Sequence, residues 1–442
     1  MVRLGFDAEL HLDLVVQSNL ICCAHFIGTT STCQPLLIKI FSECRFGLLH
    51  LISCSMSTQK PVKVGVLFSR TGPTATIETS QLEATLFAID EINQAGGING
   101  RELKPVHYDP CSDPIKFRFF AEKLILEDNV NVIFGCYLSN TRKAVLSIVE
   151  KWQRLLFYPT PYEGFEFSRN IIYTGPAPNQ NSAQLAEFMS RNFGPRVYMV
   201  GNDYIYPHES NRIMRDFMLN RLGGANIAER YVAMDAHESD FRDIVRHIKD
   251  TQPDFIFSTV VGNCTKLLYE AYAEAGLNSA KMPIASLTTC ESELSQMSQG
   301  IAKGHFTAAP YFQSVVSETN QKCIARFRLK FGTEVEPNMC WEAAYFQVHL
   351  FAQAMLKSDS DAIDQLLPSL LGSEFNAPQG KVRINPINHH TRLNPRIARI
   401  SHADKFEIVQ EITGGVDADP YLIKHELSVL PEVQRPLMVY DA

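Results

Sequence analysis

Short apolar runs alternate with segments of helical period from residue 62 onward, and this alternation limits the possible folds more than any other feature. The first apolar run, residues 62–68, leads into a segment that carries Leu82, Leu86, Ile89 and Ile92 on one helical face and stops at two glycines. Repeats of strand, helix and strand build a parallel sheet through right-handed crossovers. The sequence therefore predicts an α/β protein with doubly wound parallel sheets.

The strand–helix rhythm restarts after residues 175–181, which are rich in glycine, proline and asparagine. Beyond that point we expect segment 304–308 to return to the first lobe and segment 380–384 to cross back to the second. The predicted architecture has two lobes, 61–177 with 307–378 and 178–306 with 379–432. Several crossings between two lobes leave a cleft that closes by hinge motion, and open sheets bind ligands beyond the carboxyl ends of their strands.

Residues 1–55 differ in character from the rest of the chain. They hold five of the eleven cysteines, and Asp7 and Glu9 interrupt the first candidate for a secretory signal. The segment 51–54 resembles a lipoprotein cleavage box, but the apolar run before it is short. We interpret residues 1–55 as a leader outside the mature fold, with Met56 as the true start. The six remaining cysteines are scattered, so we predict a cytoplasmic protein, with a periplasmic or lipid-anchored location as the alternative.

Charge and hydropathy exclude two classes of partner. The net charge is −7 and no run of lysine or arginine stands out, so we predict no direct contact with nucleic acid. No apolar stretch is long enough to span a bilayer, so we predict no membrane partner. Association into homo-oligomers stays open.

Catalytic signatures are also lacking, because the sequence has no nucleophile elbow, phosphate loop, zinc-protease motif or dinucleotide fingerprint. Side chains of the adjacent His389 and His390 point to opposite faces of an extended segment, so a turn is favoured over a metal site. Cys136 has no base or cation nearby, which favours a buried thiol over a nucleophile. We therefore predict a protein that is not an enzyme and uses no metal and no cofactor.

Three segments combine tyrosine, proline, serine and threonine directly after predicted strands. They are residues 135–141, 158–165 and 201–207. Hydroxyl groups satisfy a carbonyl or an amino group without any buried charge, whereas an amino acid would need a charged partner for its ammonium. The three segments therefore predict a cleft for a small uncharged amide.

Ser139 begins the helical segment that follows the third predicted strand. We expect it to act as an N-cap that bonds the amide donors of the first turn, and this turn also suits a ligand carbonyl. Tyr204 and Tyr206 lie in a loop that faces Tyr158 and Thr160 across the predicted cleft. A pocket walled by these tyrosines and lined by serine and threonine hydroxyls would satisfy one carbonyl and one amino group without a buried charge.

Longer blocks of the chain carry a family resemblance that covers about residues 62–421. The blocks include Gly135-Cys136-Tyr137, residues 158–165, 175–182 and 203–207, and Ile284 through Thr289. In these blocks the chain resembles the aliphatic-amidase expression-regulating proteins, which are cytoplasmic amide sensors and negative regulators of amidase operons. Their fold is similar to that of leucine/isoleucine/valine-type periplasmic binding proteins.

The resemblance implies a binding site and a partner that composition does not reveal. By resemblance, the amide pocket would consist of eight side chains: Tyr137, Ser139, Tyr158, Thr160, Pro161, Tyr204, Tyr206 and Thr289. Amide binding would release an RNA-binding antiterminator protein that the sensor otherwise holds inactive. The ligand would shift the population of lobe arrangements, and the partner would respond to that shift.

A second family shares much of the pattern. Residues 388–391, Asn-His-His-Thr, also resemble the urea-binding components of ABC transporters. The alternative function is therefore a solute-binding subunit for uptake of urea or short amides. An amidase is disfavoured because no nucleophile with a base is evident.

Overall fold

A computed structural model describes residues 60–423 of the chain. The predictions for residues 1–55, and for the part of the second lobe beyond residue 423, lie outside the described residues. Within them the chain alternates strands and helices, and the predicted α/β fold with parallel sheets in two lobes is confirmed.

The first lobe is built on a five-stranded parallel sheet with strand order β2-β1-β3-β4-β5. Its strands are β1 (Val62–Leu67), β2 (Leu103–His107), β3 (Val132–Gly135), β4 (Leu155–Tyr158) and β5 (Ile171–Tyr173). The helices between them are α1 (Ala75–Gln94), α2 (Pro114–Leu126) and α3 (Ser139–Lys151). Apolar cores cover both faces of the sheet, which is why β3 and β4 are continuous apolar runs.

The second lobe contains a seven-stranded sheet with strand order β15-β14-β10-β9-β8-β6-β7. Its strands are β6 (Arg196–Asn202), β7 (Ala225–Val232), β8 (Phe255–Thr259), β9 (Ile284–Ser286), β10 (Phe306–Ala309), β14 (Arg396–Ile400) and β15 (Phe406–Glu411). Its helices are α4 (Ser182–Asn192), α5 (Ile205–Asp216) with a π-helical extension (Phe217–Arg221), α6 (Glu238–Thr251), α7 (Asn263–Glu274) and α8 (Glu291–Leu294). Strands β14 and β15 are antiparallel and close one edge of an otherwise parallel sheet.

The chain then returns to the first lobe and adds a small sheet there. The returning helices are α9 (Glu318–Phe331), α10 (Met339–Ser358) and α11 (Ile363–Leu370), and the small sheet consists of β11 (Glu374–Ala377), β12 (Gly380–Ile384) and β13 (Thr391–Arg392). Phe87 of α1 packs edge-on against Phe327 of α9 and stacks on Trp341 of α10. This aromatic cluster fixes the returning helices on the first lobe.

Two segments lie in a different lobe from the one that the sequence predicts. Segment 304–308 was expected in the first lobe, but its strand pairs with β9 and β14 in the second sheet. Segment 380–384 was expected in the second lobe, but Val382 and Ile384 are buried in the apolar core of the first. Segment 380–384 alternates exposed charged residues with buried apolar ones and joins the small three-stranded sheet, while segment 304–308 contributes a buried strand to the seven-stranded sheet. Strands this short do not encode which sheet they join.

Polar side chains tie together the strands through which the chain passes between the lobes. The Gln180 amide donates to the carbonyls of Thr391 and Val416, at 2.9 and 2.7 Å. The buried guanidinium of Arg396 donates to the carbonyls of Gln379 and Asn394, at 2.9 and 3.1 Å. These hydrogen bonds connect the segments that cross between the lobes.

Candidate ligand-binding site

A small cavity lies between the lobes, at the carboxyl ends of strands from both sheets. The space that the centre of a water molecule can occupy in it is about 10 Å³, and all empty space around it, including the part open to solvent, is about 220 Å³. Its walls consist of Tyr137, Ser139, Thr160, Pro161, Tyr204, Tyr206, Val261 and Thr288. Sites for drug-sized ligands are larger, at about 300–1,000 Å³.

Each wall is formed by a segment that directly follows a strand. Tyr137 and Ser139 follow β3, and Thr160 and Pro161 follow β4, so these four form the wall of the first lobe. The wall of the second lobe is formed by residues after β6, β8 and β9. Parallel strands direct their carboxyl ends to the same sheet edge, which brings segments far apart in sequence to one place.

Six of the eight predicted site residues line this cavity: Tyr137, Ser139, Thr160, Pro161, Tyr204 and Tyr206. Tyr158 and Thr289 do not. The Thr289 hydroxyl lies 2.9 Å from Ser286 and 3.1 Å from Tyr269, inside the second lobe. Val261 and Thr288 line the cavity in addition and are not among the predicted site residues. The sequence contains a feature that could have identified them, since each follows a buried strand as the predicted residues do.

Tyr158 supports the wall from behind. Its side chain is fully buried, and its hydroxyl donates a 2.7 Å hydrogen bond to the carbonyl of Tyr137. The Arg142 guanidinium lies 4.9 Å from the centre of its ring. Burial raises the pKa of Tyr158, and the Arg142 charge only partly opposes this effect. Tyr158 therefore stays neutral and holds the β3–α3 segment in place.

Ser139 is not the N-cap that the sequence predicts. The N-cap residue is Leu138, which makes no side-chain capping bond, and Ser139 is the first residue of α3. Its hydroxyl donates instead to Oε2 of Glu163, at 2.7 Å. A buried carboxylate is a stronger acceptor than a backbone group, and its hydrogen bonds to polar donors are short. The loop after β4 thus determines where the Ser139 proton lies.

A buried charge cluster lies one layer behind this wall. Arg142 is fully buried and pairs with Glu163 at 2.7 Å and with Glu166 at 2.8 Å. Lys143 also pairs with Glu166, at 2.8 Å. Burial opposes ionisation of Glu166, but Arg142 and Lys143 outweigh it and lower the pKa of that carboxyl to about 2. None of these four side chains lines the cavity.

Thr160 is fixed by contacts with three neighbours. Its hydroxyl donates to the Cys136 carbonyl at 3.3 Å and accepts from the Gln81 amide at 3.1 Å. Gly175 packs directly against its backbone, since a Cβ placed on this glycine would lie 1.9 Å from the Thr160 carbonyl oxygen. Cys136, which precedes Tyr137, has a left-handed backbone with φ of 71°. Such a conformation costs free energy and is often found at functional sites.

The second lobe presents three hydroxyls to the cavity, those of Tyr204, Tyr206 and Thr288. Thr288 donates a 2.6 Å hydrogen bond to the Val260 carbonyl. The Tyr206 hydroxyl is buried and has no partner in hydrogen-bond geometry among the described residues, although Ser210 lies near it. Burial raises the pKa of Tyr206, so its hydroxyl is a neutral donor. A ligand acceptor at this place would satisfy it.

The residues that the sequence disfavours for metal binding or nucleophilic chemistry do not themselves line the cavity. His390 is fully buried and stacks on Tyr173 at 4.2 Å, and burial lowers its pKa to about 3. Burial raises the pKa of the Cys136 thiol well above its usual range. Among residues 60–423, no three acidic, histidine or cysteine side chains form a group that suits a metal ion. No helix in that range is long and apolar enough to cross a membrane.

Contacts across the cleft hold the lobes together at its rim and behind the cavity. The Gln296 amide of the second lobe donates to the Thr76 hydroxyl of α1 at 2.7 Å. The Arg212 guanidinium of α5 lies 4.9 Å from the Phe165 ring of the first lobe. Behind the cavity, the Asn338 amide donates to Ser292 at 2.8 Å. The arrangement is that of lobes closed on each other.

Comparison with known proteins places this geometry in a family. A family model described as periplasmic binding protein domain matches residues 62–427. The Leu/Ile/Val-binding protein homolog 6 of Brucella suis is 23% identical over 362 residues, which is 80% of this chain and 91% of that protein. The Leu/Ile/Val-binding protein of Escherichia coli is 24% identical over 215 residues, which is 48% of this chain and 58% of that protein.

Solved structures share the fold at low sequence identity. A solute binding protein of an ABC transporter from R. palustris, in complex with benzoate, has a TM-score of 0.73 at 16% identity and covers 81% of this chain and 98% of its own. A branched-chain amino acid transporter substrate binding protein from Streptococcus pneumoniae, in complex with isoleucine, has a TM-score of 0.70 at 18% identity, with 79% and 98% covered. At such identities the likeness concerns the fold.

Proposed function

The chain belongs to the periplasmic binding protein family, and from this premise we propose that it is a solute-binding protein that closes its lobes around a small uncharged amide or urea. The observation that carries the proposal is the wall of the cavity. All eight lining side chains are uncharged, and the hydroxyls of Ser139, Thr160 and Thr288 are among them. A carbonyl and an amino group match these polar groups without a buried charge.

The same wall argues against a free amino acid as the ligand. A zwitterion buried in this cavity would carry an ammonium and a carboxylate, and each needs a charged or strongly polar partner to offset its desolvation. The nearest buried charges, Arg142 and Glu163, already pair with each other at 2.7 Å.

We propose delivery to an ABC-type transporter as the first physiological role. The relatives named above are Leu/Ile/Val-binding proteins, and the solved structures with this fold include solute-binding proteins of ABC transporters. This role requires export, so the native protein is expected in the periplasm. The predicted cytoplasmic location receives no support from the family.

The second candidate role is that of an amide sensor which holds an RNA-binding antiterminator inactive. The blocks at 135–145, 158–165 and 203–207 favour it, because the residues that resemble amide sensors there include six of the cavity-lining side chains. Fractionation of the native host separates the two roles. A periplasmic protein supports transport, whereas a cytoplasmic protein that releases an RNA-binding partner when acetamide is added supports sensing.

Calorimetric titration of the full-length chain tests the proposed ligand class. We expect acetamide, butyramide or urea to bind and leucine not to bind. Tight binding of leucine without a response to any amide would overturn the proposal. A ligand that binds the folded state also raises the unfolding temperature, by an amount that grows with the logarithm of its concentration divided by its Kd, which gives an independent measurement.

A further inference from the structure

We propose that Glu163 makes Ser139 a hydrogen-bond acceptor toward the cavity, because the Ser139 hydroxyl donates its proton to Glu163. The site then selects ligands that present N–H donors. The proposal rests on the proposed function, since it concerns how the same cavity distinguishes an amide from a carboxylate of equal size. Glu163 would thus be a positioning residue, because it acts on the ligand through Ser139.

The first observation concerns the bond between these two side chains. The Ser139 hydroxyl is 2.7 Å from Oε2 of Glu163, and both residues are almost completely buried. A serine hydroxyl has one proton and two lone pairs. With its proton directed to the carboxylate, Ser139 has only lone pairs left for the cavity that it lines. It is therefore an acceptor toward a ligand.

The second observation is that Glu163 is itself fixed as an acceptor. Nη2 of Arg142 lies 2.7 Å from Oε1 of Glu163, and Nη1 lies 3.3 Å from Oε2. Arg142 is fully buried, with its guanidinium 4.9 Å from the centres of the Tyr158 and Tyr162 rings. A guanidinium only donates, and a carboxylate paired with it only accepts. The Ser139 proton has no equally strong acceptor on the cavity side.

The other two aliphatic hydroxyls in the wall also donate their protons to groups of the protein and not to the cavity. Thr160 donates to the Cys136 carbonyl at 3.3 Å, and Thr288 donates to the Val260 carbonyl at 2.6 Å. All three aliphatic hydroxyls that line the cavity therefore direct their protons into the protein. The hydroxyls of three tyrosines remain as donors to a ligand acceptor: those of Tyr137, Tyr204 and Tyr206, of which the Tyr206 hydroxyl is buried without a partner among the described residues.

A ligand that fits this pattern has several N–H donors and one carbonyl acceptor. A primary amide offers two N–H donors and one carbonyl, and urea offers four donors and one carbonyl. Acetate has nearly the shape of acetamide, but its oxygens would face the lone pairs of Ser139 with the Glu163 charge behind them. Acetone also has this shape and lacks N–H donors altogether. Acetamide and acetone therefore differ mainly in their N–H donors, whereas acetate lacks these donors and also carries a negative charge.

Calorimetric titration of the full-length chain with acetamide, acetate and acetone tests the inference. We expect the wild type to bind acetamide at least about tenfold more tightly than acetate, as a hydrogen bond to a charge-supported acceptor implies. In Glu163→Gln, the glutamine amide nitrogen donates to the Ser139 oxygen, and the Ser139 proton is then free to point into the cavity. We expect this variant to lower the acetamide-to-acetate affinity ratio by about tenfold.

Two further variants separate positioning from a merely structural effect. Glu166→Gln removes the other carboxylate that pairs with Arg142 but leaves the Ser139–Glu163 hydrogen bond in place. The acetamide-to-acetate affinity ratio should therefore stay unchanged. In a Ser139→Ala background, Glu163→Gln should change the ratio by less than about twofold, because the group it acts through is missing. Ser139→Ala alone should weaken acetamide binding about tenfold and acetone binding much less.

Each of these measurements has an outcome that would overturn the inference. Equal wild-type affinity for acetamide and acetate overturns the inference and leaves a cleft that binds small molecules. Equal shifts of the ratio in Glu163→Gln and Glu166→Gln overturn it as well, and so does an unchanged effect of Glu163→Gln in the Ser139→Ala background. If Glu163→Gln does not fold, an equal loss of acetamide and acetone affinity in Ser139→Ala overturns it. Binding of leucine alone overturns both this inference and the proposed function.

Discussion

The hydroxyl of Tyr158 donates a 2.7 Å hydrogen bond to the carbonyl of Tyr137, so a side chain at the end of β4 fixes the backbone of the segment after β3. The two residues are 21 positions apart in sequence. One predicted ligand-binding residue thereby supports another without reaching the cavity itself. The shape of the cavity therefore depends on residues behind the wall, such as Tyr158, as well as on the side chains that line it.

Tyr158→Phe should lower both stability and ligand affinity. The variant leaves the buried Tyr137 carbonyl without its partner, which costs about 1–3 kcal/mol of unfolding free energy. Guanidinium denaturation measures the stability, because urea is itself a candidate ligand, and titration with acetamide measures the affinity. Tyr272→Phe is the matched control, since its buried hydroxyl donates to the Met282 carbonyl at 2.8 Å within the second lobe. An equal loss of affinity in both variants would contradict a local role of Tyr158.

Gly175→Ala should displace the segment that carries Thr160. A Cβ at this position would lie 1.9 Å from the Thr160 carbonyl oxygen, so one of the two backbones must move. Overpacking of this kind costs about 1–3 kcal/mol of unfolding free energy. We expect acetamide affinity to fall together with stability, as measured by titration and denaturation. Unchanged affinity with reduced stability would show that Thr160 does not contribute to binding.

Asn338→Ser should weaken the link between the lobes while it preserves the helix start. The Asn338 side-chain oxygen accepts from the amides of Cys340 and Trp341 as the N-cap of α10, and its nitrogen donates to Ser80 and Ser292. Serine is a comparable N-cap but lacks the amide donors. We expect lower acetamide affinity and a larger radius of gyration of the free protein in small-angle X-ray scattering.

The control for this prediction is Gln296→Ala, which removes only the exposed 2.7 Å contact to Thr76 at the rim. Its effect should be smaller, because an exposed hydrogen bond exchanges readily with water. If the Asn338 variant keeps the wild-type affinity and radius of gyration, the Asn338–Ser292 contact does not contribute to closure.

Glu293→Gln should flatten the pH dependence of stability. Burial raises the pKa of Glu293 from 4.5 to about 8, although hydrogen bonds from Cys290 and Thr265 partly oppose this. The folded state thus binds more protons than the unfolded state between these values. The stabilisation is complete below pH 4.5 and is lost as the pH rises through 8.

In the wild type this carboxyl should lower the unfolding free energy by at most about 1.4 kcal/mol per pH unit within that window. Guanidinium denaturation between pH 5 and 8 measures the slope, which we expect to be smaller in Glu293→Gln. Glu374→Gln, at an exposed carboxyl, should leave the slope unchanged. Parallel slopes in the wild type and Glu293→Gln would show that Glu293 is ionised when buried.

The apolar runs at residues 155–158 and 171–173 by themselves indicate strands, and β4 and β5 have these bounds because the runs end at Pro159 and at Thr174-Gly175. The sequence did not predict that β10 joins the second sheet or that β12 stays with the first lobe. A strand of four or five residues is too short for its pattern of buried and exposed residues to specify one sheet, whether it is wholly buried like β10 or alternating like β12. Only pairing with its neighbours decides between them.

At the candidate site, the sequence by itself determined the chemical character of the wall. The tyrosine, serine and threonine side chains after β3, β4 and β6 are uncharged hydroxyl groups in any conformation. The tertiary structure alone decided which of these hydroxyls face the cavity and where their protons point. Ser139 is an acceptor because Glu163, 24 residues away, lies within 2.7 Å of it. Hydrogen bonds act only over short distances and in defined directions, and local sequence does not encode such a contact.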